Sequence, residues 1–76
     1  MTRMQSQLGV IAIQVNGLKR DVPEGTTLEH LISLFHLQKK SIVIERNRQV
    51  VDKTAYAAIL LKENDQIEIM HFVGGG

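Results

Sequence analysis

One stretch of this chain reads as a strong amphipathic helix, and only one does. Leu28, Leu31, Ile32 and Phe35 fall at i, i+3, i+4 and i+7, a single apolar stripe, while Glu29, His30 and Ser33 lie off it. Most of the remaining apolar residues alternate with a period of two. A lone helix must bury its stripe against something, and the surface available is one face of a sheet. The chain is thereby confined to a two-layer α+β domain. Its 76 residues leave room for one such domain. There is no cysteine, so neither disulfides nor cysteine-ligated zinc can support the fold, and stability rests on one packed core.

The helix has readable ends. Thr26 is expected as N-cap, with Glu29 completing a capping box by reaching back to the Thr26 N–H. The helix is expected to stop near His36, ahead of Lys39-Lys40, whose charges suit its negative C-terminal end. Before it, Val10 to Asn16 reads as a strand with Ile11, Ile13 and Val15 on one face. Asn16-Gly17 is a strong hairpin signal, because both turn positions want positive φ, and Leu18 to Val22 then returns antiparallel. After the helix come strands at Ile42 to Arg46 and Gln49 to Val51, joined by a turn at Asn47-Arg48. The connection from Asp52 to Asn64 is expected to tuck Tyr56, Ile59, Leu60 and Leu61 onto the core with one helical turn. A turn at Asn64-Asp65 leads to a last, β-branched strand at Gln66 to Phe72, with Ile67 and Ile69 inward. Right-handed crossover places the third strand away from the first hairpin and leaves the gap beside strand one for the last strand. That arrangement is the β-grasp, or ubiquitin-like fold: a mixed sheet of four to five strands with one main helix on one face. Residues 10–73 are expected to form the domain, 1–9 a flexible extension, and 74–76 a flexible tail.

Composition removes several functions. Nine basic residues against eight acidic, with no long like-charge run and three aromatics, do not indicate nucleic-acid binding. No apolar run reaches membrane-spanning length, and Met1 to Leu8 lack the apolar core of a signal peptide, so no membrane partner and a cytoplasmic location are expected. His30, His36 and His71 are scattered and lack ligand spacing, so neither a metal site nor a catalytic residue is assigned. A domain this small offers few deep concavities, which favours a carrier or binding module over an enzyme.

The C-terminus carries the chemistry. The last strand runs without a spacer into Val73-Gly74-Gly75-Gly76. At average glycine usage, three terminal glycines arise by chance about 0.03% of the time. One reading is the frayed end of any chain. The other is physical: glycines lack Cβ, so they make a thin strip of backbone that can thread a narrow channel and present the terminal carboxylate inside a partner. A carboxylate becomes an acyl donor once its oxygen attacks the α-phosphate of ATP, because a sulfur or nitrogen nucleophile can then displace AMP.

At this point the chain resembles the ThiS family of sulfur carriers. The resemblance runs from about Val10 to Gly76 through Val15-Asn16-Gly17, Thr26-Thr27-Leu28, Val43-Ile44-Glu45-Arg46-Asn47, and above all the run from Asp65 to His71-Phe72-Val73-Gly74-Gly75-Gly76. It implies a carrier that is not an enzyme. Gly76 would be adenylated by a ThiF-type enzyme and converted to a thiocarboxylate with sulfur from a donor such as a cysteine desulfurase. Thiazole synthase ThiG would then take the sulfur. Gly74 and Gly75 would thread the partner, and ATP and magnesium would be used by that partner, with no cofactor held by this chain. The carrier is expected to be monomeric alone and its tail mobile when free. The family pattern has Asn-Gly where this chain has Asn47-Arg48, so that turn is expected to widen or change type.

Alternatives stay open. Carriers for molybdopterin synthesis share the fold and the terminal glycines but usually have prolines before the tail, and the one proline here is Pro23. A ubiquitin-like modifier would use the same activated carboxylate with a lysine acceptor, and a plain interaction module would leave it idle. Alternation in the last strand puts Met70 and Phe72 on the face away from the helix. With Val43, Val73 and Ala12 they form an expected docking patch, unless Phe72 turns in to cover the core. Arg46, Arg48, Lys53 and Lys62 are either solvated or meet acidic partner surfaces.

Overall fold

The computed structural model describes residues 9–72. The strands are β1 (Val10–Val15), β2 (Leu18–Pro23), β3 (Ile42–Arg46), β4 (Gln49–Val50) and β5 (Gln66–His71), and the helix is α1 (Leu28–Leu34). They form one sheet in the order β2-β1-β5-β3-β4. β5 lies between β1 and β3, parallel to β1 and antiparallel to β3, so the sheet is mixed and the expected β-grasp order is present. Of the segments expected outside the domain, residues 1–8 and the tail lie outside the described residues. Gly9 is described, and its carbonyl accepts the Glu24 N–H at 2.9 Å.

Both hairpins close through two left-handed residues. Asn16 and Gly17 have φ of 51° and 84°, and Val15 faces Leu18 across the turn. Asn47 and Arg48 have φ of 52° and 73°, with Arg46 paired to Gln49. The second turn therefore keeps the tight two-residue form, against the expectation that arginine would widen it. The Asn47 side chain accounts for this: its Nδ2 donates to Asp65 Oδ1 at 3.0 Å and its Oδ1 accepts the Gln66 N–H at 2.9 Å. Arg48 carries a left-handed cost on the order of 1 kcal/mol that these bonds offset.

The helix start differs from the capping box. Pro23 C=O accepts both the Thr26 N–H, at 3.1 Å, and the Thr26 hydroxyl, at 2.6 Å, closing a turn that Gly25 completes at φ 95°. The Thr26 N–H is thus already bonded and offers Glu29 nothing to reach back to. Thr27 is the N-cap, its Oγ1 accepting the His30 N–H at 3.1 Å, and Glu29 instead pairs with Lys39 Nζ at 2.9 Å. The helix ends in a Schellman arrangement, with Leu37 N–H donating to Ile32 O at 2.9 Å and His36 N–H to Ser33 O at 3.0 Å. His36, at φ 58°, takes the position glycine usually holds, no basic residue lies in the last turn, and Lys39 pairs with Glu29 of the first turn.

The stripe packs as its spacing requires. Leu28, Leu31 and Ile32 are buried against Ile13, Val15, Ile42, Ile44, Ile67 and Ile69 from the facing side of the sheet, and Phe35 packs at their margin. The connection between β4 and β5 contains a 3-10 stretch, Lys53–Ala58, that places Tyr56 fully inside. Leu61 is buried too, whereas Leu60 is turned out and 52% exposed. Leu60 bridges Thr27 in extended backbone, and alternation there lets Leu61 in only by sending Leu60 out.

Asp65 ties the far end of the sheet together. Its buried carboxylate accepts the Lys62 N–H at 2.8 Å, Arg46 Nε at 3.0 Å and Asn47 Nδ2 at 3.0 Å. Burial pushes this carboxyl up, but the Lys62 amide, the Asn47 amide and the Arg46 guanidinium together outweigh it and hold it below the usual carboxylate range. A depressed folded-state pKa contributes stability that is present above the unfolded value, about 3.9, and is lost as pH falls through the folded value. Thermal melts are expected to hold steady near neutrality and to fall on acidification below about pH 4. Asp65→Asn should cost about 1–3 kcal/mol at pH 7 and flatten that acid limb, measured by denaturant unfolding across pH.

Candidate functional site

β5 is the inner strand that leads to the C-terminus, so the site is built around its end. Burial alternates along it: Ile67 and Ile69 point to the helix, while Glu68, Met70 and, beyond the strand, Phe72 are exposed on the opposite face. Phe72 is 54% exposed and does not cover the core. Met70 stands directly across from half-buried Val43 on β3, and Phe72 N–H donates to Ser41 O at 3.0 Å, which holds the strand straight up to the tail. Lys53 Nζ lies 5.2 Å from the centre of the Phe72 ring. Val43, Met70 and Phe72 are therefore brought together on the open face of the sheet.

Ala12 is not part of this cluster. Asn64 N–H donates to Ala12 O, and β1 runs parallel to β5 with Gln14 beside Gln66, so Ala12 aligns with the start of β5. Met70 lies six positions further along, roughly 20 Å away at the rise of a strand. Arg46, one of the basic residues expected either in solvent or against a partner, pairs through its Nε with Asp65 and stays partly exposed. Val73, expected in the patch, and Gly74, Gly75 and Gly76, expected as the threading and reactive residues, lie outside the described residues.

One residue at the site was read only for its backbone. Asn16 sits where β1 ends, and its side chain continues the pairing that the main chain abandons at the turn. Asn16 Oδ1 accepts the Ile69 N–H at 2.7 Å and its Nδ2 donates to Ile69 O at 3.3 Å. Asparagine thus supplies both a left-handed turn residue and a surrogate strand unit, and it fastens β5 two residues short of His71.

On the helix side of β5 the surface falls into a groove of about 480 Å³ between the first hairpin, the end of α1 and the last turn of β5. Leu18, Leu34, Phe35 and Leu37 line it, with Arg20 and His71 among the polar lining. The Arg20 guanidinium lies 5.4 Å from the Phe35 ring centre. His30 is exposed on α1 and His36 follows it, so the histidines do not converge. Among the described residues no three His, Cys, Asp or Glu side chains are grouped to hold a metal ion, and no helix is long and apolar enough to cross a membrane.

The ThiS family matches residues 9–76. Sulfur carrier protein ThiS from Bacillus subtilis is 37% identical over 65 residues, covering 84% of this chain and 98% of that one. Thiazole synthase from Magnetococcus marinus is 42% identical over 64 residues, but the chain spans only 20% of that protein's length. The crystal structure of thiamine biosynthesis protein ThiS from Geobacter metallireducens superposes with a TM-score of 0.76 at 29% identity, covering 87% of this chain and 100% of that one.

The Asn16 bridge makes a local prediction. Asn16→Ala should leave the fold in place, destabilise it by about 1–2 kcal/mol and raise the exchange rate of the Ile69 amide selectively, read by hydrogen–deuterium exchange NMR.

Proposed function

This chain belongs to the ThiS family, and from that premise we propose that it is a sulfur carrier of thiamine biosynthesis whose reactive group is the Gly76 carboxylate. The observation that carries the reading is the join between β5 and the tail: a strand held on both sides runs directly into a sequence that ends in three glycines. The rigid body delivers the tail at a defined place, and the bare backbone admits it to a narrow channel.

The chemistry follows from the carboxylate. A Gly76 oxygen attacks the α-phosphorus of ATP on a ThiF-type enzyme, pyrophosphate leaves, and an acyl-adenylate forms. Sulfide, or the terminal sulfur of a donor persulfide such as that of a cysteine desulfurase, attacks the carbonyl carbon. AMP departs with the carboxylate oxygen, and in the persulfide case a thiol reductant cleaves the remaining S–S bond to leave the thiocarboxylate. Thiazole synthase ThiG accepts the sulfur, a role supported by the likeness between this chain and one part of the Magnetococcus marinus thiazole synthase. ATP and magnesium belong to the activating partner. The chain is a cosubstrate and supplies no catalytic residue.

Val43, Met70 and Phe72 are the docking face on the body. An exposed apolar cluster beside the tail removes water on contact and fixes the distance from body to channel. Phe72→Ala should weaken binding to the ThiF-type enzyme about tenfold while thermal stability is kept, measured by isothermal titration.

The reading is tested by incubating the chain with a ThiF-type enzyme, ATP and a sulfur source, and then taking an intact mass. One oxygen-to-sulfur exchange confined to Gly76 is expected, and deletion of Gly76 should abolish it without changing the fold. Lysine-linked adducts would instead identify a protein modifier. An unchanged mass with an enzyme that is active on its own carrier would leave the tail chemically idle.

A further inference from the structure

The open face of the sheet carries charge at both ends and is apolar between them. Across the β3–β5 ladder Glu45 faces Glu68, Val43 faces Met70, and Ser41 O accepts the Phe72 N–H. These make three rows, about 7 Å apart along the strands. Val50 on β4 extends the first row beside Glu45 and is 67% exposed. Lys53 belongs to the third row, its Nζ held 5.2 Å from the centre of the Phe72 ring.

Two like charges directly opposite on a sheet face destabilise it. Among the described residues Glu45, Glu68 and Lys53 have no ion-pair partner. Asp52, at the rim beyond β4, is occupied with the Thr54 N–H and hydroxyl. Within one molecule the acidic row and Lys53 stand about 13 Å apart along the strand, too far to neutralise each other.

We propose that this face pairs with a second copy of itself. A two-fold axis along the Val43–Met70 row turns the copy over and sets its β5 antiparallel to the first. Val43 and Met70 then meet their counterparts, and the outer rows exchange. Lys53 of one protomer lies over Glu45 and Glu68 of its partner, and the same contact forms at the other end. The layout of charge selects this occupant. A surface of one sign relieves one end of the face and opposes the other, whereas the rotated copy offers the opposite sign at both. Each ammonium, set between two carboxylates, also relieves their mutual repulsion. Three short rows bury far less than the ~1,200 Å² of a stable interface, so the pairing is weak and the dilute chain is monomeric. One consequence rests on the carrier reading above: the paired state covers the docking face, and the activating enzyme must compete for it.

The test uses the full-length chain, followed by sedimentation equilibrium and amide NMR from about 20 μM to about 2 mM, the range in which so small a contact populates a dimer. The mass should rise toward that of a dimer, the amides of Val43, Glu45, Glu68, Met70 and Phe72 should shift with it, and added salt should reverse both. Lys53→Glu, and separately Glu45→Lys with Glu68→Lys, should each weaken self-association at least tenfold, with melts checking the fold. Mixed together, these two variants present opposite signs at both ends and should pair about as tightly as wild type. If the double variant does not fold, Lys53→Glu decides. A wild-type chain monomeric throughout that range, shifts centred on the helix-side groove at Leu18 and Leu34, or folded variants that do not pair when mixed would each overturn the proposal. Sulfur gain at Gly76 is read separately by intact mass on dilute chain, so failure of the carrier reading and failure of the pairing are told apart.

Discussion

The structure depends on the chain inserting its last strand into the middle of its own sheet. β5 pairs with β1 on one side and β3 on the other, and its inward residues Ile67 and Ile69 lie against the same core that receives the helix stripe. Until β5 docks, the two hairpin halves share no ladder, and α1 has no continuous surface to cover. The constraint that completes the fold therefore also determines where the C-terminus leaves it.

That coupling explains why so small a domain can act as a handle for a chemical group. A terminus on an outer strand would fray with its edge. Here three devices hold the final strand: the β3 ladder as far as Phe72, the Asn16 side chain at Ile69, and the Asp65 node at the strand's start. The position of the body thus fixes where the pairing of β5 ends, at Phe72. Both faces of β5 at that end are apolar at the surface, Met70 and Phe72 on one side and the groove by Leu18 and Leu34 on the other.

Much of this was legible in the residues. The stripe at Leu28, Leu31, Ile32 and Phe35 defined the helix, Asn16-Gly17 defined the first turn, and the β-branched run through Ile67 and Ile69 defined the central strand. These signals are local, and local physics decides them. The misreadings have two causes, a competing local turn at the helix start and contacts distant in sequence elsewhere. Thr26 and Thr27 are equivalent as caps until the turn at Pro23 consumes the Thr26 N–H. Arg48 looks wrong for a tight turn until Asn47 is seen bonded to Asp65 and Gln66. Ala12 shares a face with Met70 by alternation, yet the parallel register separates them along the strand. The side-chain role of Asn16 was hidden because its turn signal already accounted for it.

The central claim is that the Gly76 carboxyl is the reacting group and is reachable only because the backbone before it is bare and ends there. The most direct measurement is the single-turnover rate of thiocarboxylate formation on a chain lengthened by one alanine after Gly76, compared with the native chain under the same activating enzyme. The account predicts that the extra residue, which displaces the carboxylate and brings a Cβ into the channel, abolishes formation while body binding is retained. Sulfur incorporation on the lengthened chain at the native rate would contradict it.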